Sequence, residues 1–148
     1  MNVSLFKLIA MMSGFVGLLC GFFALLPYLD GIAFFALIGF PAVVVMSILM
    51  KSNILRLEST AEGITIGAII GFLSYIAFSI IYLPLIIISA RVFNYSPNYS
   101  IAIFASHANI FILLMISLFI AVVSATINAF TGFLVYYLTE LFKNMNNR

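Results

Sequence analysis

The chain has 148 residues, of which 66% are hydrophobic and 7% are charged, and its formal net charge at pH 7 is +2. Soluble domains carry roughly 25% charged residues, so this composition predicts an all-α integral membrane protein rather than a soluble one. Each bilayer crossing takes about 20 residues, which leaves room for four transmembrane helices and no separate soluble domain. The basic residues are too sparse for a nucleic-acid-binding face, so we expect no nucleic acid partner.

The first two spans are predicted to form an antiparallel hairpin. An apolar run over residues 8–27 is followed, after a tight turn, by a second run over residues 31–50. Asp30 in the turn is expected to cap the second helix by accepting hydrogen bonds from its free amides. Inside the second run, Pro41 removes the amide that would bond to Leu37, so we expect a kink and a new partner for the freed carbonyl.

The third span, predicted over residues 61–90, opens with a capping box of Ser59 and Glu62. Each of these side chains is expected to accept a hydrogen bond from a backbone amide that the first helical turn leaves unpaired. Small residues then recur every four positions, and the first span shows the same spacing. Such a face lets a neighbouring helix approach closely, and two helix-packing faces are therefore predicted. Their members are Ser13, Gly17, Gly21, Gly63, Gly67 and Gly71.

Residues 101–139 are almost wholly apolar, and as one helix they would extend about 58 Å, which is longer than a bilayer is thick. We expect a break at residues 106–109, with a short interfacial or re-entrant helix before it and a fourth span over residues 110–139. The four spans then form two antiparallel hairpins.

A stripe of polar residues follows one face of the fourth span. Asn128 should not face lipid, because its amide would be unpaired there. The stripe either packs into a glycine face and returns hydrogen bonds to backbone carbonyls, or lines a narrow path or small-molecule pocket between helices. Its members are Ser117, Ser124, Asn128 and Thr131.

The charges predict an orientation. Five basic residues fall on one side of the predicted topology and Arg91 alone on the other, so the positive-inside rule places both termini in the cytoplasm. Asp30 and Arg91 are the opposite charges on the outer side and form a candidate ion pair, worth about 0–1 kcal/mol if exposed. The alternative is that each acts alone, one as a cap and one at the lipid interface. The residues counted on the cytoplasmic side are Lys7, Lys51, Arg56, Lys143 and Arg148.

Few residues in the sequence suggest chemistry. No charged residue falls inside a predicted span, which argues against a proton relay, a voltage sensor or a carboxylate-based cation site. His107 and Cys20 are the single histidine and cysteine, so neither a metal site with several such ligands nor an intrachain disulfide can form. Ser106 next to His107 is not interpreted as a catalytic dyad, because neighbours on a helix point in different directions. We expect no enzyme activity, no metal and no cofactor.

The sequence therefore predicts a non-catalytic, multi-pass protein of a bacterial or archaeal plasma membrane. It would act through helix packing, as an assembly subunit or by self-association, with lipid and with its own copies or another membrane protein as partners. The alternative is a small oligomeric transporter or channel for a neutral solute, which would use the polar stripe of the last span.

Overall fold

The computed structural model describes residues 3–146, and 84% of these residues are helical, with no strand among them. The all-α fold predicted from composition is thus confirmed. The helices are α1 (Val3–Phe23), α2 (Asp30–Gly39), α3 (Pro41–Lys51), α4 (Thr60–Val92), α5 (Tyr99–His107) and α6 (Ile110–Asn146).

Three of these helices, α1, α4 and α6, are long and apolar enough to cross a bilayer. The pair α2 and α3 is a fourth candidate if the two are counted as one span, because they are bent by 57° at Phe40, the residue between them. The break falls immediately before Pro41, where the sequence predicts a kink. The structure therefore contains three or four candidate membrane spans.

The helix ends differ from the expected spans mainly at the two ends of the chain. α1 begins at Val3 and ends at Phe23, four residues before the predicted end, because the following residues turn. Leu25 and Leu26 donate backbone hydrogen bonds three residues back, as in a tightened final turn. The expected short helix before the last span is α5, and α6 continues past residue 139 to Asn146.

Helix α4 lies at the centre of the bundle and α1 runs parallel to it. Gly17 of α1 lies against Ser74 of α4, and Gly21 one turn later lies against Phe78. Helix α6 runs antiparallel to α4. We call the end at which α1 and α4 begin the lower end and the opposite end the upper end. The loop after α3 returns to the lower end, where Arg56 lies beside α1 and the start of α4.

Two clusters of buried apolar side chains form the core, one in each half of the bundle. The lower cluster includes Ile9, Val45, Met46, Leu49 and Ile70. The upper cluster is richer in aromatic residues and includes Leu37, Tyr75, Phe78, Tyr82 and Ile86.

Candidate functional site

The glycine face of α4 is filled by α6. A Cβ added at Gly63 would lie 2.9 Å from the carbonyl oxygen of Gly132, and one at Gly71 would lie 2.6 Å from the Cβ of Asn128. A Cβ at Gly67 would overlap the Asn128 backbone even more closely. The two helices therefore touch at their backbones, which only residues without a side chain allow.

Gly132 is a member of this interface that the sequence analysis missed. An added Cβ there would overlap the carbonyl of Gly63. Its position gives the signal that could have identified it, since it lies four residues beyond Asn128 and extends the polar stripe by one turn. A single glycine on the partner helix is less conspicuous than a ladder of three.

The small residues of α1 lie against α4 further along the helix, beyond the glycine face. A Cβ at Gly17 would lie 2.9 Å from the carbonyl carbon of Ser74, whereas one at Gly21 would meet Ile81 at an ordinary 3.4 Å. Ser13 is fully buried, and its hydroxyl donates to the carbonyl of Ile9 at 2.7 Å. Both faces of small residues are thus occupied within one chain.

Asn128 closes the break between α2 and α3. Its Oδ1 accepts from the Ala42 amide at 2.9 Å, and its Nδ2 donates to the Ile38 carbonyl at 2.8 Å. In an unbroken helix that amide would bond to that carbonyl directly, four residues back. The side-chain amide of Asn128 therefore takes the place of the missing backbone bond, and with no exposed surface it leaves neither group unpaired.

The rest of the polar stripe divides between two environments. The Ser124 hydroxyl is buried and donates to the Gly71 carbonyl at 3.1 Å, and the Thr131 hydroxyl donates to the Asn128 carbonyl at 2.9 Å. Ser117, two turns towards the upper end, instead lines a cavity. The stripe therefore does not line one continuous path.

That cavity, which we call the upper cavity, has a volume of about 330 Å³ and lies between α2, α4, α5 and α6. The stripe of α4 that is glycine in the lower half carries Tyr75, Phe78 and Tyr82 here, and all three line the cavity. The turn that follows α1 contributes Ala24 to the wall. The polar wall residues include Asp30, Ser79, Asn98 and Ser117.

The predicted ion pair between Asp30 and Arg91 is not formed. Within residues 3–146 the ion pair observed is Lys143 with Glu140, at 3.7 Å, and Arg91 donates instead to the Ser106 carbonyl at 3.4 Å. Connections at the same end of the bundle need not lie at the same height. It is Tyr82 that shares the cavity wall with Asp30, and Arg91 lies nine residues, or about 13 Å, further along α4.

Asp30 also does not cap α2 as expected. Leu29 occupies the capping position without a side-chain hydrogen bond, and Asp30 is the first residue of the helix.

The capping box of α4 differs from the expected one in one of its two hydrogen bonds. The Ser59 hydroxyl accepts from the Glu62 amide at 3.3 Å, but the Glu62 carboxylate accepts from the Glu58 amide, one residue further back than expected.

Ser106 and His107 do come together, contrary to the expectation that neighbours on a helix diverge. The Ser106 Oγ lies 3.0 Å from the His107 Nδ1, because both atoms lie near the Ile103 carbonyl, each at 2.9 Å, at the end of α5. A carbonyl oxygen only accepts, so the contact with Ile103 is a hydrogen bond in the tautomer that carries the proton on Nδ1, and in that tautomer Nδ1 cannot serve as a base for the serine. Among the described residues, no group of three His, Cys, Asp or Glu side chains could hold a metal ion.

Comparisons with known proteins give no functional assignment. The chain matches no protein-family model, no curated protein and no solved structure. Function is therefore inferred from the geometry of the helix interfaces and of the upper cavity.

Proposed function

We propose that the protein is a four-span membrane component without catalytic machinery, which acts through helix contacts as an assembly subunit. Counting α2 and α3 as one broken span completes two antiparallel hairpins. A broken helix is tolerated at membrane depth only where its free backbone groups are satisfied within the protein. The bridge that Asn128 makes satisfies one amide and one carbonyl at the break, those of Ala42 and Ile38, and so supports the four-span topology.

The distribution of charge supports cytoplasmic termini. The basic residues in the described part of the chain, apart from Arg91, lie on segments at the lower end of the bundle, where the positive-inside rule places the cytoplasm. Arg91 closes α4 at the upper end. Arg148, which was counted with the lower group, lies outside the described residues. The lower group consists of Lys7, Lys51, Arg56 and Lys143.

The observation that carries the assembly function is the contrast between α4 and α6. In the apolar stretch of α4, 44% of residues are buried within the chain, whereas only 17% are in that of α1 and 11% in that of α6. Both small-residue faces are already filled, and α6 is the longer of the two exposed helices, so we assign association with another chain to the outward face of α6. That face is rich in aromatic residues, which are enriched at protein interfaces. Its exposed members include Phe111, Phe119, Val122, Phe130 and Tyr137.

The alternative of a transporter or channel along the polar stripe has less support. A path would require Ser124 and Asn128 to face a gap, but both are fully buried and hydrogen-bonded within the bundle. Burial of the stripe against Gly71 supports the packing interpretation of these residues.

Cysteine crosslinking in native membranes tests the assembly function. Cys20, half-buried and free, is first replaced by serine, and Val122→Cys then places a thiol on the outward face of α6. Met11→Cys is the matched control, because Met11 is 72% exposed on α1 and Val122 is 56% exposed. With a short bifunctional maleimide, we expect one defined adduct from Val122→Cys and none from Met11→Cys.

The mass of that adduct separates the two forms of assembly. A product of twice the chain mass indicates self-association, and a single product of another mass indicates a different membrane protein. If Val122→Cys gives no adduct, or if Met11→Cys gives the same products, the outward face of α6 is not an assembly surface.

A further inference from the structure

The upper cavity contains a carboxylate for which the fold provides no partner. Asp30 lies on the cavity wall, and within residues 3–146 its side chain makes neither a capping hydrogen bond nor an ion pair. It occupies the first turn of α2, where the positive end of the helix dipole favours a negative charge. No lysine or arginine from the described part of the chain lines the cavity. The wall therefore has a net negative charge.

Aromatic rings form a continuous series along the same wall. Phe34 meets Tyr75 edge to face at 6.4 Å, Tyr75 lies 5.7 Å from Phe78, and Phe78 stacks on Tyr82 at 4.8 Å, measured between ring centroids. The faces of aromatic rings carry partial negative charge and attract cations, most strongly where water is excluded. A carboxylate and aromatic rings on one cavity wall are the groups that attract an organic ammonium ion.

We propose that the upper cavity binds a small organic cation, an ammonium group carried on an apolar body. Its volume of about 330 Å³ lies at the lower end of the range for small-molecule sites, so the ligand is small. The ammonium group would lie at Asp30 and the aromatic rings, and the apolar body against Ile116 and Ile120 of α6. The site is independent of the assembly function, because it lies inside the bundle rather than on the outward face of α6.

The structure places Asp30 differently from the sequence-based expectation. The sequence argues against a carboxylate-based cation site within the spans, because it places Asp30 in a turn between two of them. The structure places Asp30 at the start of α2 and on a cavity that extends down to Tyr75, more than a turn deeper along α4 than Tyr82. The carboxylate therefore borders an apolar interior.

A charged probe and its neutral isostere test the proposal. Phenyltrimethylammonium and tert-butylbenzene have nearly the same shape and differ by one charge. Their binding is measured by equilibrium dialysis against the protein in nanodiscs of zwitterionic lipid, with empty nanodiscs subtracted. We expect Asp30→Asn to weaken binding of the ammonium probe about tenfold and to leave that of the neutral probe unchanged. Glu140→Gln, which removes the same charge from the lower end of α6, is the matched control and should change neither affinity.

A second variant locates the binding within the cavity. Ser117→Phe places a ring in the cavity volume and should reduce binding of both probes at least severalfold, with circular dichroism and the thermal transition used to confirm folding. The proposal is overturned if the wild-type protein binds both probes equally, if Asp30→Asn binds the ammonium probe as the wild type does, or if Glu140→Gln weakens it equally. If Asp30→Asn does not fold, the test rests on Ser117→Phe. Unchanged binding of the ammonium probe by Ser117→Phe would exclude the upper cavity as the binding site.

Discussion

The two halves of α4 pack against α6 in opposite ways along the same stripe of the helix. In the lower half Gly63, Gly67 and Gly71 bring the two backbones into contact and leave no space between them. In the upper half Tyr75 and Tyr82 line a cavity of about 330 Å³. The closed part of the interface thus has glycine along this stripe of α4, and the part beside the cavity has tyrosine.

The two halves also differ in how their polar groups are satisfied. Helices in lipid gain little from apolar burial, so close packing and hydrogen bonds between helices hold them together. In the lower half Asn128 and Ser124 bond to backbone groups of other helices. In the upper half the Asp30 carboxylate faces a cavity without a protein partner. The lower half is therefore expected to determine stability, and the upper half to be available for binding.

The largest loss of stability is expected from Asn128→Leu. This substitution leaves the Ala42 amide and the Ile38 carbonyl without partners inside the bundle, and each orphaned group costs about 1–3 kcal/mol. The midpoint of an SDS titration in micelles, followed by circular dichroism, measures the effect. Asn128→Asp should lose at least as much while its carboxyl is ionised, because a buried charge would then face the Ile38 carbonyl without a donor. Equal midpoints for the wild type and Asn128→Leu would show that the bridge does not support the break.

A smaller loss of stability is expected from Gly67→Ala, which adds a single methyl group to the closed interface between α4 and α6. The added Cβ would overlap the Asn128 backbone, and such overpacking costs about 1–3 kcal/mol. Gly14→Ala is the matched control, because an added Cβ there has no neighbouring atom within 4 Å. Alanine favours a helix over glycine by up to about 1 kcal/mol, so the control should be neutral or stabilising. A loss from Gly14→Ala as large as that from Gly67→Ala would contradict this account of α4 and α6.

The sequence predicted the lower half better than the upper half, for a physical reason. A ladder such as Gly63, Gly67 and Gly71 and a proline inside an apolar run act through local backbone geometry, which can be inferred from spacing. The upper cavity depends on the height at which α2 begins relative to α4, and spacing within one helix does not give that height. For the same reason spacing could not decide whether Asp30 and Arg91 pair or act separately, and it gave no sign that Asp30 lines a cavity.

The smallest expected effect comes from the same substitution made in each half of α6. Ser124→Ala removes the hydroxyl that donates to the Gly71 carbonyl at 3.1 Å, and should lower the free energy of unfolding by about 0.5–1.5 kcal/mol. Ser117→Ala, seven residues away, removes a hydroxyl on the cavity wall and should stay within about 0.5 kcal/mol of the wild type. Both are measured in one SDS titration series. If Ser117→Ala costs as much as Ser124→Ala, the Ser117 hydroxyl is bonded to the bundle as firmly as that of Ser124. The upper half would then be as closed as the lower.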